Sequence, residues 1–470
     1  MAFESFTNIF RVADLRKRIL FTFFILFVFR IGSHIPTPGI NTALLEQFFK
    51  QNAGTLLGYI NMFSGGNFSQ MTVFALGIMP YITAAIILEL MTVVWPYLEK
   101  LQKEGELGRR KITQYTRWLT LFLSFFQSLG IAYTLQKNTF NGAGFVLSPG
   151  IGFIAMTVLT LTTGSIFVMW LGEQITDRGV GNGMSLLIFA GIVVGLPSAI
   201  GDLWTKVQTN TWGPFTVPGM ILLLGFMLAV IGFIVWVERS ERRIPVQYAK
   251  RVVGRKLMGG QSTHLPIRVN SGGVMPVIFA ASILTFPGTA SMLPMIKNSK
   301  VFGPMFSAMA YPKPLYSLIY VVAIIFFAYF YVSIIFNPVE VADNMRKYGG
   351  FIPGIRPGRH TSEYINNILT RVTLVGAIYL VLVSLVPQFL LSGTALQNLP
   401  GALGSWFGTF PTWFLNGLGV NFYFGGTSLL IVVGVAMDTV QQVEAQLIMR
   451  HYEGFTARSS RIRGRRSYWA

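Results

Sequence analysis

Ten stretches of roughly 20 mostly apolar residues punctuate this 470-residue chain, near 19–33, 74–98, 116–136, 151–171, 183–201, 217–237, 273–291, 315–337, 367–390 and 423–443. A helix crossing ~30 Å of hydrocarbon needs about 20 such residues, because each advances the chain by about 1.5 Å. Lipid offers the backbone no hydrogen-bond partners, so each amide must be satisfied within its own helix. The pattern predicts an all-α polytopic membrane protein. Composition removes the soluble alternative. Only 12% of the residues are charged, against roughly 25% in soluble domains, and the chain carries 40 Phe and 49 Gly.

An even number of spans returns both termini to one side, and the basic residues indicate which. Of 37 Lys and Arg, 30 fall in the amino-terminal segment, the loops near 99–117, 172–182, 238–272 and 338–371, and the tail after 444. The opposite face holds six: Lys50, Lys137, Lys206, Lys297, Lys300 and Lys313. Such a bias predicts that both ends face the cytoplasm. Arg30 lies near the outer end of the first span, where it can snorkel to the headgroups. Arg16-Lys17-Arg18 ahead of an apolar run imitates a signal peptide, but His34-Ile35-Pro36 follows in place of a small-x-small cleavage site, so this is read as a retained span. The net charge of +19 suits anionic partners such as lipid headgroups or nucleic acid.

Motifs for chemistry are lacking. There is no G-x-x-x-x-G-K-[ST] phosphate loop, no H-E-x-x-H and no G-x-S-x-G. With no Cys, and with His34, His264, His360 and His451 far apart in sequence, neither a metal centre nor a thiol nucleophile is expected. The clear acids within spans are Glu89 and Asp438. An ion-coupled carrier normally keeps ionisable groups at the midplane, and their scarcity argues against one; structural hydrogen bonding is the plainer reading of both. No cofactor and no enzymatic activity are expected.

Several segments do more than cross lipid. Gly54–Met71 is apolar but too short to span, and is broken by the Gly65-Gly66 pair. It reads equally as a short re-entrant helix plugging a cavity or as a helix lying on the interface. Ile82 and Ile86 share a helical face, as do Met184 and Ile188. Such aliphatic pairs can close a pore by excluding water, although ordinary helix packing produces the same spacing. One long basic loop holds Arg239, Arg242, Arg243, Lys250, Arg251, Arg255 and Lys256. Another contains Pro353-Gly-Ile-Arg356-Pro-Gly358, a combination suited to a stiff turn that projects Arg356. Either loop reads as a topology signal or as a docking surface for ribosomal RNA or a cytosolic motor. The tail Arg458–Arg466 holds five Arg in nine residues, an electrostatic element.

Phe63-Ser-Gly-Gly66, followed by Ala75-Leu-Gly-Ile-Met-Pro-Tyr-Ile82-Thr-Ala-Ala-Ile86, resembles the SecY/Sec61-alpha family, whose bacterial members are pore subunits of the Sec translocase. So do Asp177-Arg-Gly-Val-Gly-Asn-Gly183, Arg242-Arg-Ile-Pro-Val-Gln-Tyr-Ala-Lys250-Arg251, Pro353–Gly358 and Gly425-Gly-Thr-Ser-Leu-Leu-Ile431. The resemblance implies ten transmembrane helices in two pseudo-symmetric halves around an hourglass pore. The first half would be residues 1–205, with a plug at 58–71; the second would be 206–455, with cytoplasmic loops 238–272 and 338–371; a basic tail, 456–470, would follow. By motif position the pore ring would comprise Ile82, Ile86, Met184, Ile188, Ile278 and Ile431. Met184 replaces the usual Ile, which predicts a looser gasket there. The plug would include Asn61, Phe63, Ser64, Gly65, Gly66 and Phe68, and the lateral gate Thr83, Gln127, Ser282 and Phe286. Arg242, Arg243, Lys250, Arg251 and Arg356 would dock the ribosome or the SecA motor. Two departures stand out: an outer loop, 391–421, that is long for the family and carries Trp406 and Trp413, and the Arg-rich tail.

The resulting expectation is a passive, gated pore in the bacterial inner membrane. Unfolded polypeptides cross through it, and transmembrane segments leave it sideways into lipid. SecE, SecG, SecA, the ribosome, signal peptides, nascent chains and membrane lipids are the implied partners. A secondary transporter of a small solute is the competing reading from another class, and an intramembrane enzyme a distant third.

Overall fold

A computed structural model describes residues 12–51, 58, 61, 64–140, 142–209, 216–248, 251–253, 256–258, 262–290, 299, 303, 305, 313–393 and 426–457. All ten apolar stretches carry a helix. The first five are α1 (Ala13–Gly32), α3 (Met79–Val94), α5 (Glu106–Lys137), α6 (Ile151–Arg178) and α7 (Gly183–Val194), with the shorter α2 (Thr42–Gln51), α4 (Pro96–Lys103) and α8 (Leu196–Gln208) between and after them. The remaining spans are α9 (Thr216–Arg239), α10 (Met275–Ala290), α11 (Pro314–Ile335), α13 (Arg359–Ser392) and α14 (Gly426–Ala457), with the shorter α12 (Pro338–Lys347) between α11 and α13. Among the described residues, seven helices are long and apolar enough to cross a membrane by themselves, and α3 with α4 makes an eighth if a bent pair is counted as one span.

That bend corrects the expected second span, 74–98. Residues 64–78 run as turns, broken by a single antiparallel bridge from Thr72 to Pro36, and helix begins only at Met79, with Pro80 in its first turn. At the other end, Pro96 cannot donate an amide and forces its neighbour Trp95 into extended geometry (φ −105°, ψ 110°). The chain turns by 100° there. The fourth span is longer than its apolar run, because the helix continues through Glu173 and Asp177 to Arg178. Glu173 is held in the helix by a two-bond ion pair with Arg117 of α5, both contacts at 2.8 Å.

Small side chains set the closest helix contacts. Thr116, Thr120, Ser124, Ser128 and Ala132 recur every four residues and form the buried stripe of α5, which packs against α6 and α3. The Ser128 and Thr162 hydroxyls meet across the α5–α6 contact at 3.2 Å. The opposite face of α5, with Trp118, Phe122 and Phe126, stays exposed, as a lipid-facing surface requires.

The long loops 238–272 and 338–371 are not purely helical. β3 (Glu241–Tyr248) and β6 (Ser262–Arg268) form an antiparallel ribbon, and β7 (Gly350–Phe351) adds to the free edge of β3. Two small hairpins, β1 (Thr139–Phe140) with β2 (Ala143–Gly144) and β4 (Arg251–Val253) with β5 (Lys256–Met258), complete the strands. Along β3, Ile244 and Val246 point inward while Arg243, Pro245 and Gln247 face out. The inward pair joins Ile267, Val332, Met345, Ile352, Ile365 and Leu369 in one cluster. The sheet is thereby mounted on α11 and α13. At 34 residues, about 51 Å long, α13 is longer than the hydrocarbon is thick, and its first turns carry Ile365 and Leu369 of this cluster.

Candidate functional site: an aliphatic waist, a turn-built plug and a basic sheet

Between the first five spans and the last five, α3 packs on α10 and α7 packs on α14. These four helices carry all six residues assigned to the ring. Ile82 and Ile86 lie on α3, Met184 and Ile188 on α7, Ile278 on α10 and Ile431 on α14. The five isoleucines are buried in one contiguous apolar cluster, and Met184, half-buried, packs against it. The departure at Met184 has a local solution. Its Sδ lies over Gly172 of α6, in space that any side chain there would occupy. The long thioether is seated in a notch on α6, which takes up the length the sequence alone left loose.

Polar contacts fix the ends of these helices. Asn182 caps α7, its Oδ1 accepting from the Met184 amide at 3.1 Å. Before α10, the Asn270 side chain donates to Glu238 Oε1 at 2.6 Å and to the Gly273 carbonyl at 3.0 Å. The second bond closes the turn from which α10 starts, and the first ties that turn to the end of α9.

The described part of the segment expected as a plug is mostly buried, with Gln70 exposed. Residues 58 and 61 are helical and 64–71 are turns. Asn61, Ser64, Asn67 and Phe68 are buried and Gly65 and Gly66 half-buried; Phe63 lies outside the described residues. Its hydrogen bonds run largely within the segment. Gly66 N–H donates to the Asn61 carbonyl at 2.8 Å, Ser69 N–H to Asn61 Oδ1 at 2.8 Å, and Phe68 N–H to Ser64 Oγ at 3.1 Å. Gly65, with φ at +72°, passes so close to α7 that a Cβ would sit 2.7 Å from the Gly191 Cα. Gly191 lies three residues beyond Ile188, so this segment touches the helix that carries Met184 and Ile188. Phe68 and Met71 belong to a second apolar cluster, with Leu45 and Phe49 of α2. The Phe49 and Phe68 rings meet edge to face at 5.4 Å between centroids. At the segment's exit, the Thr37 amide donates to the Met71 carbonyl at 2.9 Å. Met71 has φ +45°, alone among the described non-glycine residues in having positive φ.

Of the lateral-gate assignments, Thr83 on α3 and Gln127 on α5 are half-buried and Ser282 on α10 is buried. α3 contacts both α5 and α10. Phe286 lies on α10, with its side chain outside the described residues. Arg242 and Arg243 are exposed on β3, and Arg243 also pairs with Glu241 at 2.8 Å. Arg356 is exposed on its turn, pinned from below by Ile352 and Ile355 in the cluster under the sheet. The Thr361 hydroxyl donates to the Arg356 carbonyl at 2.9 Å, which closes that turn onto the first residues of α13. Lys250 falls outside the described residues, as do 394–421 of the long loop 391–421 and the tail beyond 457; Arg251 is in β4, with its side chain undescribed. Reading the sequence missed the Arg117–Glu173 pair, since both residues sat in presumed loops. It also missed the Asn182 cap, for which Asn immediately before the helical Gly183 is a visible signal.

The family model for SecY matches residues 72–440. The protein translocase subunit SecY of Escherichia coli (strain K12) is 47% identical over 443 residues, covering 94% of each chain. Two solved structures share the fold. One, from work reporting that the plug domain of the SecY protein stabilises the closed state of the translocation channel and maintains a membrane seal, aligns over 92% of each chain with a TM-score of 0.60 at 18% identity. The other, Sec61 in a canine ribosome–channel complex from the endoplasmic reticulum, covers 92% of this chain and 93% of its own with a TM-score of 0.58 at 18% identity. With its helices, seams and motifs in the family's order, this multi-pass membrane chain belongs to the SecY family of protein translocase subunits.

Proposed function

We propose that this chain is the gated pore through which unfolded polypeptides cross the bacterial inner membrane and from which apolar segments pass sideways into lipid. The observation that supports the reading is that all six side chains lie on the four helices that join the first five spans to the last five, five of them within, and Met184 against, one large apolar cluster. A channel for varied sequences must bind none of them strongly. A wall without charge or directed hydrogen bonds meets that demand, and when empty it excludes water and ions. Residues 1–205 and 206–455 act as two halves of a clamshell, with α3 and α10 as the opening edge, lined by Thr83, Gln127, Ser282 and Phe286. The segment 58–71, including Asn61, Phe63, Ser64, Gly65, Gly66 and Phe68, plugs the path from outside.

Sorting between the two exits follows transfer free energy. A central Arg or Asp costs about 2.5–3.5 kcal/mol on insertion scales and keeps a segment on the aqueous route. The chain is not itself an enzyme, and the driving force comes from partners: the SecA motor or the ribosome docks on Arg242, Arg243, Lys250, Arg251 and Arg356, while SecE and SecG complete the complex. Both termini face the cytoplasm, on the side of the basic sheet. Proteoliposomes holding the chain with SecE and SecG, supplied with SecA, ATP and a preprotein, are expected to yield protease-protected product. Solute counterflow without preprotein import would overturn the reading.

A further inference from the structure

The helix that supplies Met184 and Ile188 is short, 12 residues in α7, and it starts from the tight reversal 179–182 after α6. Three side chains from three places hold that reversal. The Thr22 hydroxyl, on α1, accepts from the Val180 amide at 3.1 Å across 158 residues of sequence. The Thr176 hydroxyl, on the last turns of α6, accepts from the Gly183 amide at 2.9 Å. Asn182 takes the Met184 amide. Each threonine spends its own proton on a helix carbonyl, Thr22 on Arg18 at 3.0 Å and Thr176 on Gly172 at 3.0 Å, so the lone pairs face the reversal. Gly183 carries the first amide of α7, which has no intrahelical acceptor, Val180 lies within the reversal, and both residues are buried. The Thr22 hydroxyl, itself buried, therefore satisfies a donor that water does not reach, whereas Thr176 is exposed at the rim of the reversal and its hydroxyl takes the amide of the buried Gly183.

The surroundings leave little slack. A Cβ at Gly179 would strike the Thr22 hydroxyl, 2.5 Å away, and one at Gly183 would strike the Gly172 carbonyl. Gly181, at φ +89°, lies against Thr439 of α14, where a Cβ would be 3.3 Å from Oγ1. The reversal therefore sits where α1, α6, α7 and α14 meet, at the start of one ring-bearing helix and beside another.

We propose that Thr22 and Thr176 are positioning residues for the seal: their hydroxyls latch the start of α7 and so hold Met184 and Ile188 in the ring while the pore is idle. The proposal rests on the pore reading above. Its consequence is that removing either hydroxyl, without removing volume, loosens the resting seal yet leaves the translocation path intact.

The test compares Thr176→Val, Thr22→Val, Thr176→Ser and Thr160→Val with the unaltered chain, each as the full translocase complex in a planar bilayer. Thr160, also on α6, bonds back to the Met156 carbonyl at 2.8 Å on an exposed face. It controls for loss of an ordinary helix-backed hydroxyl. Each of the Thr176→Val and Thr22→Val variants is expected to raise resting ion conductance about tenfold, the order set by one unsatisfied buried amide, and to keep SecA-driven transport. Thr176→Ser and Thr160→Val are expected to match the unaltered chain. Conductance in Thr176→Val equal to that in Thr160→Val overturns the proposal. Failure of both valine variants to accumulate in the membrane also overturns it, because the hydroxyls would then be general folding contacts. Ile86→Asn, run alongside, separates the two layers of the argument. A leak there with tight valine variants rejects only the latch, whereas a tight Ile86→Asn rejects the pore reading beneath it.

Discussion

The proposed waist is assembled from helices and the described part of the proposed plug largely from turns, and the two differ in what holds them. Ile82, Ile86, Ile188, Ile278 and Ile431 each sit on a helix fixed by neighbours well away from the ring, and they share one apolar cluster with the rest of the spans. The plug's hydrogen bonds run largely within itself, from Asn61 to Ser69. It meets the ring-bearing α7 through bare backbone, Gly65 against Gly191, and leaves through the left-handed Met71. A non-glycine residue in that region costs of order 1–3 kcal/mol and persists only where its surroundings enforce it. Here the enforcement comes from Phe68 and Met71 buried against α2. On the proposed function, the contrast assigns the waist as the permanent barrier and the plug as a removable one, whose described hydrogen bonds from Asn61 to Ser69 would travel with it.

The largest expected effect follows from wetting the waist. Ile82→Asn with Ile86→Asn places two amides among aliphatic side chains, at a cost to the closed state of about 2–4 kcal/mol per site. Resting ion conductance should rise more than in any plug variant. Next comes Gly65→Ala, which adds a Cβ at φ +72° against the Gly191 backbone and costs about 1–3 kcal/mol of plug seating. A smaller leak is expected, because the waist remains. A leak equal to that of the double waist variant would erase the proposed division. Smaller again is Gly172→Ala, which pushes on the flexible end of Met184. It should cost about 1 kcal/mol and leave a barely raised conductance, measurable against Gly65→Ala in the same bilayers. Arg356→Glu should change neither seal. With Arg356 exposed on a turn pinned by Ile352 and Ile355, thermal unfolding should stay within about 0.5 kcal/mol of the unaltered chain. SecA-driven import should fall sharply; normal import would reduce that loop to a topology signal.

The spans were legible because lipid imposes a length and a composition that nothing else mimics, and each apolar run carries a helix. Their ends were not legible wherever a contact distant in sequence decides them. Glu173 reads as loop until Arg117, 56 residues earlier, is seen to pair with it. The β3–β6 ribbon was hidden because Ile244 and Val246 alternate for only two positions, around Pro245 and among arginines. Its third strand comes from about 100 residues downstream. Of the ring, Ile82 with Ile86 and Met184 with Ile188 show as pairs on helical faces, but ordinary packing gives the same spacing. That they share one cluster with Ile278 and Ile431 is a fact of assembly, not of pattern. For the plug, Gly65-Gly66 announced a break in regular structure, but the internal hydrogen bonding that makes it a unit depends on side chains of Asn61 and Ser64 that carry no such signal alone.

The most direct test of the waist exploits the absence of native cysteine. Single Cys would be placed at 82, 86, 184, 188, 278 and 431, and at exposed positions 122 and 126 of α5 as lipid-facing controls. Each variant would then be crosslinked to a preprotein arrested midway through import and carrying a thiol-reactive probe at the arrested segment. The account predicts adducts at all six positions, none at the controls, and none in idle channels. Adducts at only one pair, or at the controls as readily as at the six, would contradict a shared waist.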